Sequence, residues 1–284
     1  MAPSSILFAK AHGLGNDFLI VEQESIGGNL PGELAVRMCD RHTGAGADGL
    51  VVLGPSSVAD ASFRIYNSDG SEAGLSGNAV RCAAAWLLSR REKPAERVAL
   101  DTRVGIRELF FLGKQGREWI LRTEIGRPSF AAADVPFRPP KPPREPITDY
   151  LLPVDDTTVN ATILSMGNPQ CILLVDDFES LDWMGLGAEL ERHAYFPERA
   201  NIGFVRPVSG DRIEARFWER GAGHTLASGT GSCACAVAAH LAGKTGRRVR
   251  VSLERGELEV NWRDDGMVEL TGPAVITLEG SFFL

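Results

Sequence analysis

NSDGSEAGLSGNAVRC (residues 67–82) and WERGAGHTLASGTGSCA (residues 218–234) decide the fold when they are set side by side. Each starts at the polar end of a strand-like run, FRIYN in one and RFWE in the other. Each then passes through a glycine-containing turn and reaches a serine that opens a helix of small residues. Asn67 and Glu219 hold the same place, Ser76 and Ser228 follow at the same interval, and both pairs are 152 positions apart. Asn16, in Gly15-Asn16, recurs at that same distance as Asn168, in Gly167-Asn168, and each pair is followed by an apolar strand-like run. Arg41-His42 recurs one position off, as Arg192-His193, at the end of a helix. Matches of type, order and distance at several places mark a duplicated structural unit.

Outward from these stretches the same grammar continues. ILFAKA, FLIVEQ, LVVLG, VALDTR, RELFFL and WILRTEI read as strands, and about 31–41, 77–90 and 229–243 as helices. Eight of the sixteen prolines fall between Pro128 and Pro153, a density that forbids a regular helix or a central strand and marks the boundary. The expected fold is α+β: two pseudo-symmetric half-domains, each a mixed or antiparallel sheet wrapped around one apolar helix. The halves are placed at 1–127 and 128–273, with the repeated polar loops facing each other across a cleft.

At 284 residues the chain has room for one or two domains with real cores, and 44% hydrophobic with 24% charged residues excludes a disordered or fibrous chain. A net charge of −7 gives no general attraction to phosphate backbones or anionic lipid, so neither nucleic acid nor membrane is expected as a partner. MAPSSILFAKAHG does not read as a secretory signal, and a cytoplasmic location is the expectation. CAAAWLL (82–88) and CACAVAAHLAG (233–243) fall short of the roughly 18 apolar residues of a membrane span and read as core helices. Five cysteines in no framework spacing read as reduced thiols.

A helix amino-terminus carries unpaired N–H groups and partial positive charge, so each serine-opened helix is a ready seat for a carboxylate or an oxyanion. The competing reading is that Ser76 and Ser228 are N-caps and nothing more. Gly44-Ala45-Gly46-Ala47-Asp48-Gly49 matches a dinucleotide fingerprint, but it follows a helix and precedes a strand, the wrong order, and is read as a turn. KTGRRVR (244–250) is read as a solvated edge rather than a nucleic-acid patch. Cys82 and Cys233 sit inside apolar helices, Cys233 and Cys235 point to different faces, and Cys39 with His42 lacks a second ligand pair. No metal and no cofactor is expected.

AHGLGNDF (11–18), SMGNPQC (165–171), FPERANIGF (196–204) and the two opening stretches together resemble the diaminopimelate epimerase family. The five blocks occur in the family's order and span both halves. The resemblance implies a diaminopimelate epimerase-like fold whose last strand, near 274–284, returns to complete the first domain. It implies racemisation at an amino-acid α-carbon without pyridoxal phosphate, converting LL- to meso-diaminopimelate in lysine and peptidoglycan precursor synthesis. One acid/base residue comes from each half. Asn16, Asn67, Asn168, Asn201, Glu219 and Arg220 stand where the family holds the substrate's carboxylates and amines, and Gly77, Asn78, Gly229 and Thr230 where the helix ends receive the α-carboxylate. The residue types agree, because asparagine both donates and accepts and arginine forks onto a carboxylate. A small amino or carboxylic acid is the expected partner, and a homodimer is left open.

The departure falls on the chemistry. Both acid/base positions are cysteine in the family and serine here, Ser76 and Ser228. An alkanol titrates about 5 pKa units above a thiol, so its anion costs about 7 kcal/mol more at neutral pH. Gln170 stands where the family commonly has histidine, and His224 where it commonly has glutamate. His224, four residues before Ser228, is read either as the base or activator of that hydroxyl or as a loop residue. The catalytic candidates are therefore Ser76, Ser228 and His224. Alternatives to an epimerase are a double-bond isomerase or dehydratase of a small carboxylic acid using His224, or a catalytically silent small-acid-binding homologue.

Overall fold

Ala61–Asn67 alternates buried and half-exposed residues along its length, the period of a strand with one face on a core. Most of the chain follows that rule: the described residues form seventeen strands and four α-helices, an α+β fold. The computed structural model describes residues 5–93, 95–155 and 157–284. These pack as two units, the residues up to Thr123 with Thr271–Leu284, and Glu124–Leu270.

The first unit runs β1 (Ser5–Gly13), β2 (Asn16–Glu22), α1 (Pro31–Cys39), β3 (Gly49–Gly54), β4 (Ala61–Asn67), β5 (Glu72–Ala73), α2 (Gly77–Ser89), β6 (Arg97–Thr102), β7 (Gly105–Gln115) and most of β8 (Glu118–Gly126), whose end passes into the second. β1 pairs antiparallel with β2, β2 parallel with β3, β3 antiparallel with β4, β4 antiparallel with β5 and parallel with β6, and β6 antiparallel with β7. The second unit runs β9 (Ile147–Val154), β10 (Thr157–Ser165), β11 (Pro169–Leu174), α3 (Trp183–Glu191), β12 (Asn201–Ser209), β13 (Arg212–Glu219), β14 (Gly223–Thr225), α4 (Gly229–Leu241), β15 (Arg248–Leu253) and β16 (Gly256–Trp262). From β10 onward the pairings succeed one another in the same directions: antiparallel, parallel, antiparallel, antiparallel, parallel, antiparallel. The last strand, β17 (Val268–Phe283), begins in the second unit and continues in the first. There it lies antiparallel to β1, from Ser5↔Phe283 to His12↔Val275.

Each unit is built on a helix that its sequence makes narrow. Ala83, Ala84 and Ala85 let α2 lie close to the strands, and Cys82 and Trp86 join Phe63, Leu100 and Leu121 in one cluster. Fully burying a side chain of the Leu or Phe kind stabilises by about 1.5–3 kcal/mol. α4 does the same with Ala234, Cys235, Ala236 and Ala238, all buried. Gly203 on β12 makes room for it, since a β-carbon there would lie 2.9 Å from the Cys235 sulfur. The proline-rich stretch is irregular up to β9, which carries Pro153, yet packed: Val135 and Phe137 join Ile147, Phe196 and Phe204 in the second unit's core. None of the described helices is long and apolar enough to cross a membrane.

The Gly44–Gly49 stretch is a turn that closes α1 and leads into β3. Ala45 and Gly46 donate their N–H groups to Met38 O, and Gly44 donates to Asp40 O at 3.0 Å. A β-carbon at Gly44 would lie 2.4 Å from Arg37 O and 2.6 Å from Met38 O, backbone atoms that cannot retreat without unwinding the helix end. Gly44→Ala is expected to lose about 1–3 kcal/mol, read as a lower urea midpoint. Gly28→Ala, with nothing within 4 Å of the added carbon, is the matched control and should stay within about 0.5 kcal/mol of wild type.

Candidate active site

Ser228 caps α4 because its backbone is extended while the next residues are helical, and its Oγ accepts the Gly231 N–H at 3.2 Å. The same hydroxyl donates to Glu219 Oε1 at 2.5 Å. Glu219 arrives there through strand parity. On β13 it shares a face with Phe217, and α4 lies against that face, so close that a β-carbon on Gly231 would meet the Phe217 ring at 2.8 Å. Burial of the carboxyl group raises the Glu219 pKa above its ordinary value, and the Ser228 hydrogen bond opposes that rise only in part.

Around this pair the polar side chains interlock. Asn168 donates to Thr230 Oγ1 at 3.3 Å, and Gln170 donates to Asn168 Oδ1 at 2.9 Å. Among the described residues the buried Gln170 Oε1 has no partner. Asn201 donates to Pro169 O and accepts the Arg220 N–H, each at 3.0 Å, which fixes the loop after β13. The Arg220 guanidinium donates to Glu198 O at 3.1 Å. Glu191, which the sequence reading did not single out, braces the same loop from α3. Its carboxylate accepts from Gly221 N at 2.9 Å, Trp218 Nε1 at 3.2 Å and Arg199 at 3.3 Å. Burial would raise its pKa, but these donors outweigh burial and hold it below the ordinary carboxylate range.

His224 belongs to the other face of the hairpin, and this corrects its reading as the base for Ser228. It stands opposite Trp218, not Glu219, in the β13–β14 register, so its ring turns away from the α4 side. Its Nε2 lies 2.7 Å from Glu254 Oε1, and the ring meets Trp183 edge-on at 5.1 Å. The carboxylate of Glu219, not an imidazole, contacts the serine.

The first unit presents a related but unequal arrangement. Ser76 caps α2, its Oγ accepting the Ala79 N–H at 3.3 Å. Asn78 donates to Asn16 Oδ1 at 3.0 Å, and Asn16 donates to Asp48 Oδ2 at 2.7 Å. Asp48 and Asp17 are held in turn by Arg41, and Asp17 also by Lys10. Burial works against the charged form of Asp17, but Arg41 and Lys10 prevail and keep its pKa low. Asn67 is not drawn into this network. Its side chain donates to Ser71 Oγ at 2.9 Å within its own turn. Gly77 and Gly229 begin the two helices directly after the serines.

All five cysteines are buried, and none forms a disulfide. The basic stretch 244–250 enters β15, where Arg248 pairs with Glu259 and Arg250 with Asp211.

The fold is the α+β fold seen in PhzF-family and diaminopimelate epimerase-like proteins. The PhzF-family protein of Bacillus anthracis superposes with a TM-score of 0.70 at 16% identity, covering 99% of this chain and 100% of that one. The match to the diaminopimelate epimerase family covers residues 8–130 and 162–277. The diaminopimelate epimerase of Pelotomaculum thermopropionicum is 42% identical over 278 residues, 97% of this chain and 98% of that protein. That of Desulforudis audaxviator is 41% identical over 279 residues, 97% and 98% of the two chains. The chain belongs to the diaminopimelate epimerase family.

The raised Glu219 pKa has a signed consequence for stability. From the ordinary value near 4.5 up to the raised one, the folded state holds more of this proton than the unfolded state, so stability falls as pH rises through that window. Glu219→Gln removes that loss. Urea unfolding at a series of pH values is expected to show the variant gaining on wild type as pH climbs above about 4.5 and then levelling. A difference that stays flat or shrinks with pH contradicts it.

Proposed function

We propose that the protein epimerises diaminopimelate by moving a proton at its α-carbon without a cofactor, as a cytoplasmic step of lysine and peptidoglycan precursor synthesis. The observation that carries the chemistry is the hydrogen bond from Ser228 to Glu219 at the start of α4. The identity of the substrate is supported by the two relatives above, proteins named for that reaction and aligned over nearly their whole lengths.

In this reading the two units are pseudo-symmetric halves, each contributing a serine-capped helix start. The common succession of strand pairings and the 152-residue repeat support it. Asn16, Asn78 and the α2 start, with Gly77, hold a carboxylate, and Asn168, Asn201, Arg220, Gly229 and Thr230 form the matching surface of the second half. Asn67 meets the substrate from its turn.

The cost of a free serine alkoxide is avoided by coupling two transfers. The Cα proton moves to Ser228 Oγ as the Ser228 proton moves to the Glu219 carboxylate, so the net acceptor is a carboxylate. The electron pair left on Cα spreads into the α-carboxylate, where helix N–H groups stabilise the added charge. Ser76 then relays a proton to the opposite face, taking one from solvent as it gives its own to Cα, so that no free alkoxide forms there either. Glu219 releases its proton to solvent.

Incubation with LL-diaminopimelate in deuterated water tests the reading. Deuterium should appear at an inverted α-carbon, and absence of both label and inversion contradicts it. Melting stabilised by diaminopimelate without label would leave a binding protein. The single variants separate the serines. Ser228→Ala should lose both label and inversion, whereas Ser76→Ala should still exchange the Cα proton but no longer invert the centre.

Iodoacetamide at pH 8 should leave the rate unchanged. Burial pushes the Cys39, Cys82 and Cys171 thiols up to about 12 and raises Cys235 as well. Inactivation in proportion to thiol modification would point back to a cysteine mechanism.

A further inference from the structure

Arg81 is fully buried on α2, one turn behind the helix start, amid alanines and a cysteine. A guanidinium carries five N–H donors, no acceptor and a permanent charge, so burying it needs a reason beyond packing. Its Nη1 donates to Gly77 O at 3.2 Å, its Nε to Pro273 O at 3.4 Å on β17, and its Nη2 to Asn78 Oδ1.

The last of these contacts propagates. Because Arg81 can only donate, Asn78 must turn its oxygen inward, which leaves its NH₂ group facing Asn16. Asn16 must then present its own oxygen, at 3.0 Å, and so aims its NH₂ at Asp48 Oδ2, at 2.7 Å. One donor-only group at the start and one acceptor-only carboxylate at the end fix two amides in series. Among the described residues each amide nitrogen spends one N–H inside the protein and keeps the other.

We propose that Arg81 is a positioning residue that sets the polarity of the first half-site. It orients Asn78 and Asn16 so that both offer an N–H to a carboxylate already placed at the α2 amino-terminus. This rests on the reading of that helix start as the carboxylate seat. The second unit lacks the device. At the 152-residue offset Cys233 replaces Arg81, Thr230 replaces Asn78 and Glu219 replaces Asn67. The first half-site is thereby all donor and holds the anion, and the second carries the proton acceptor. Gly13 closes over the contact. A β-carbon there would lie 3.2 Å from Arg81 Nη2 and 3.3 Å from Asn78 Oδ1, leaving no room for either group to turn.

The test compares Arg81→Lys, which remains donor-only, with Arg81→Met, which fills similar space and donates nothing. Two readouts are taken: KM and kcat for diaminopimelate, and hydrogen exchange of the Asn16 and Asn78 side-chain amides by ¹⁵N NMR. Arg81→Met should raise KM at least about tenfold and expose both amides to fast exchange, while Arg81→Lys restores KM to within a few-fold and keeps the amides protected. Should Arg81→Met fail to fold, Gly13→Ala displaces the same pair without removing the charge and should raise KM in the same way. Wild-type KM with protected amides in Arg81→Met, or in Gly13→Ala, overturns the proposal. So does a folded Arg81→Lys as impaired as the methionine variant. If wild type does not turn over diaminopimelate, the proposed function fails, and the amide exchange still decides the role of Arg81.

Discussion

The hydroxyl of Ser228 is caught between two partners, and the chemistry of the site depends on both. Its oxygen receives the Gly231 N–H at 3.2 Å, and its proton is directed to Glu219 at 2.5 Å. The N-cap pulls negative charge toward the oxygen and the carboxylate pulls the proton away, so both polarise the O–H bond in the same direction. Neither partner is free to leave. Gly231 is held against Phe217 with no space for a β-carbon, and Glu219 is carried on the strand that bears Phe217. Burial meanwhile raises the affinity of Glu219 for a proton, which suits a group that must take one up.

In the proposed reaction, the exchange of thiol for hydroxyl is an exchange of mechanism within one scaffold. A thiol at a helix start can ionise by itself, whereas an alkanol needs an acceptor for its proton at the moment of transfer. The second half-site has that acceptor. The first has Asn67 in the equivalent place, tied to Ser71, and has a buried arginine where the second has a cysteine. In the proposed reaction the first helix start holds the carboxylate and the second passes the abstracted proton on to Glu219. Cys82 in α2, and Cys233 and Cys235 in α4, are buried within the helices that the serines open.

Much of this was legible in the sequence because it is local or periodic. The 152-residue repeat found the equivalent loops, the serine before each run of small residues found both helix caps, and alternation found β4 and β13. What was not legible depends on register and long-range packing. His224 sits close to Ser228 in sequence, but its partner is decided by its place opposite Trp218, a register that cannot be read through a turn containing Gly221 and Gly223, both at positive φ. Arg81 in an apolar helix looks like a surface residue until Pro273, 192 positions away, is seen to accept from it. Glu191 and Asp48 likewise reach their partners only through tertiary structure. Val135 and Phe137 lie in a proline-rich stretch that reads as a linker and is instead part of a core.

The central claim is that Glu219 takes the proton through Ser228. It is tested most directly by kcat for diaminopimelate in Glu219→Gln, whose amide oxygen still accepts the Ser228 hydrogen bond but cannot hold the transferred proton. The account predicts a loss of about 10²–10⁴-fold with KM little changed and a melting temperature no lower than that of wild type. A folded variant turning over within about tenfold of wild type, well short of a general-base effect, would contradict it.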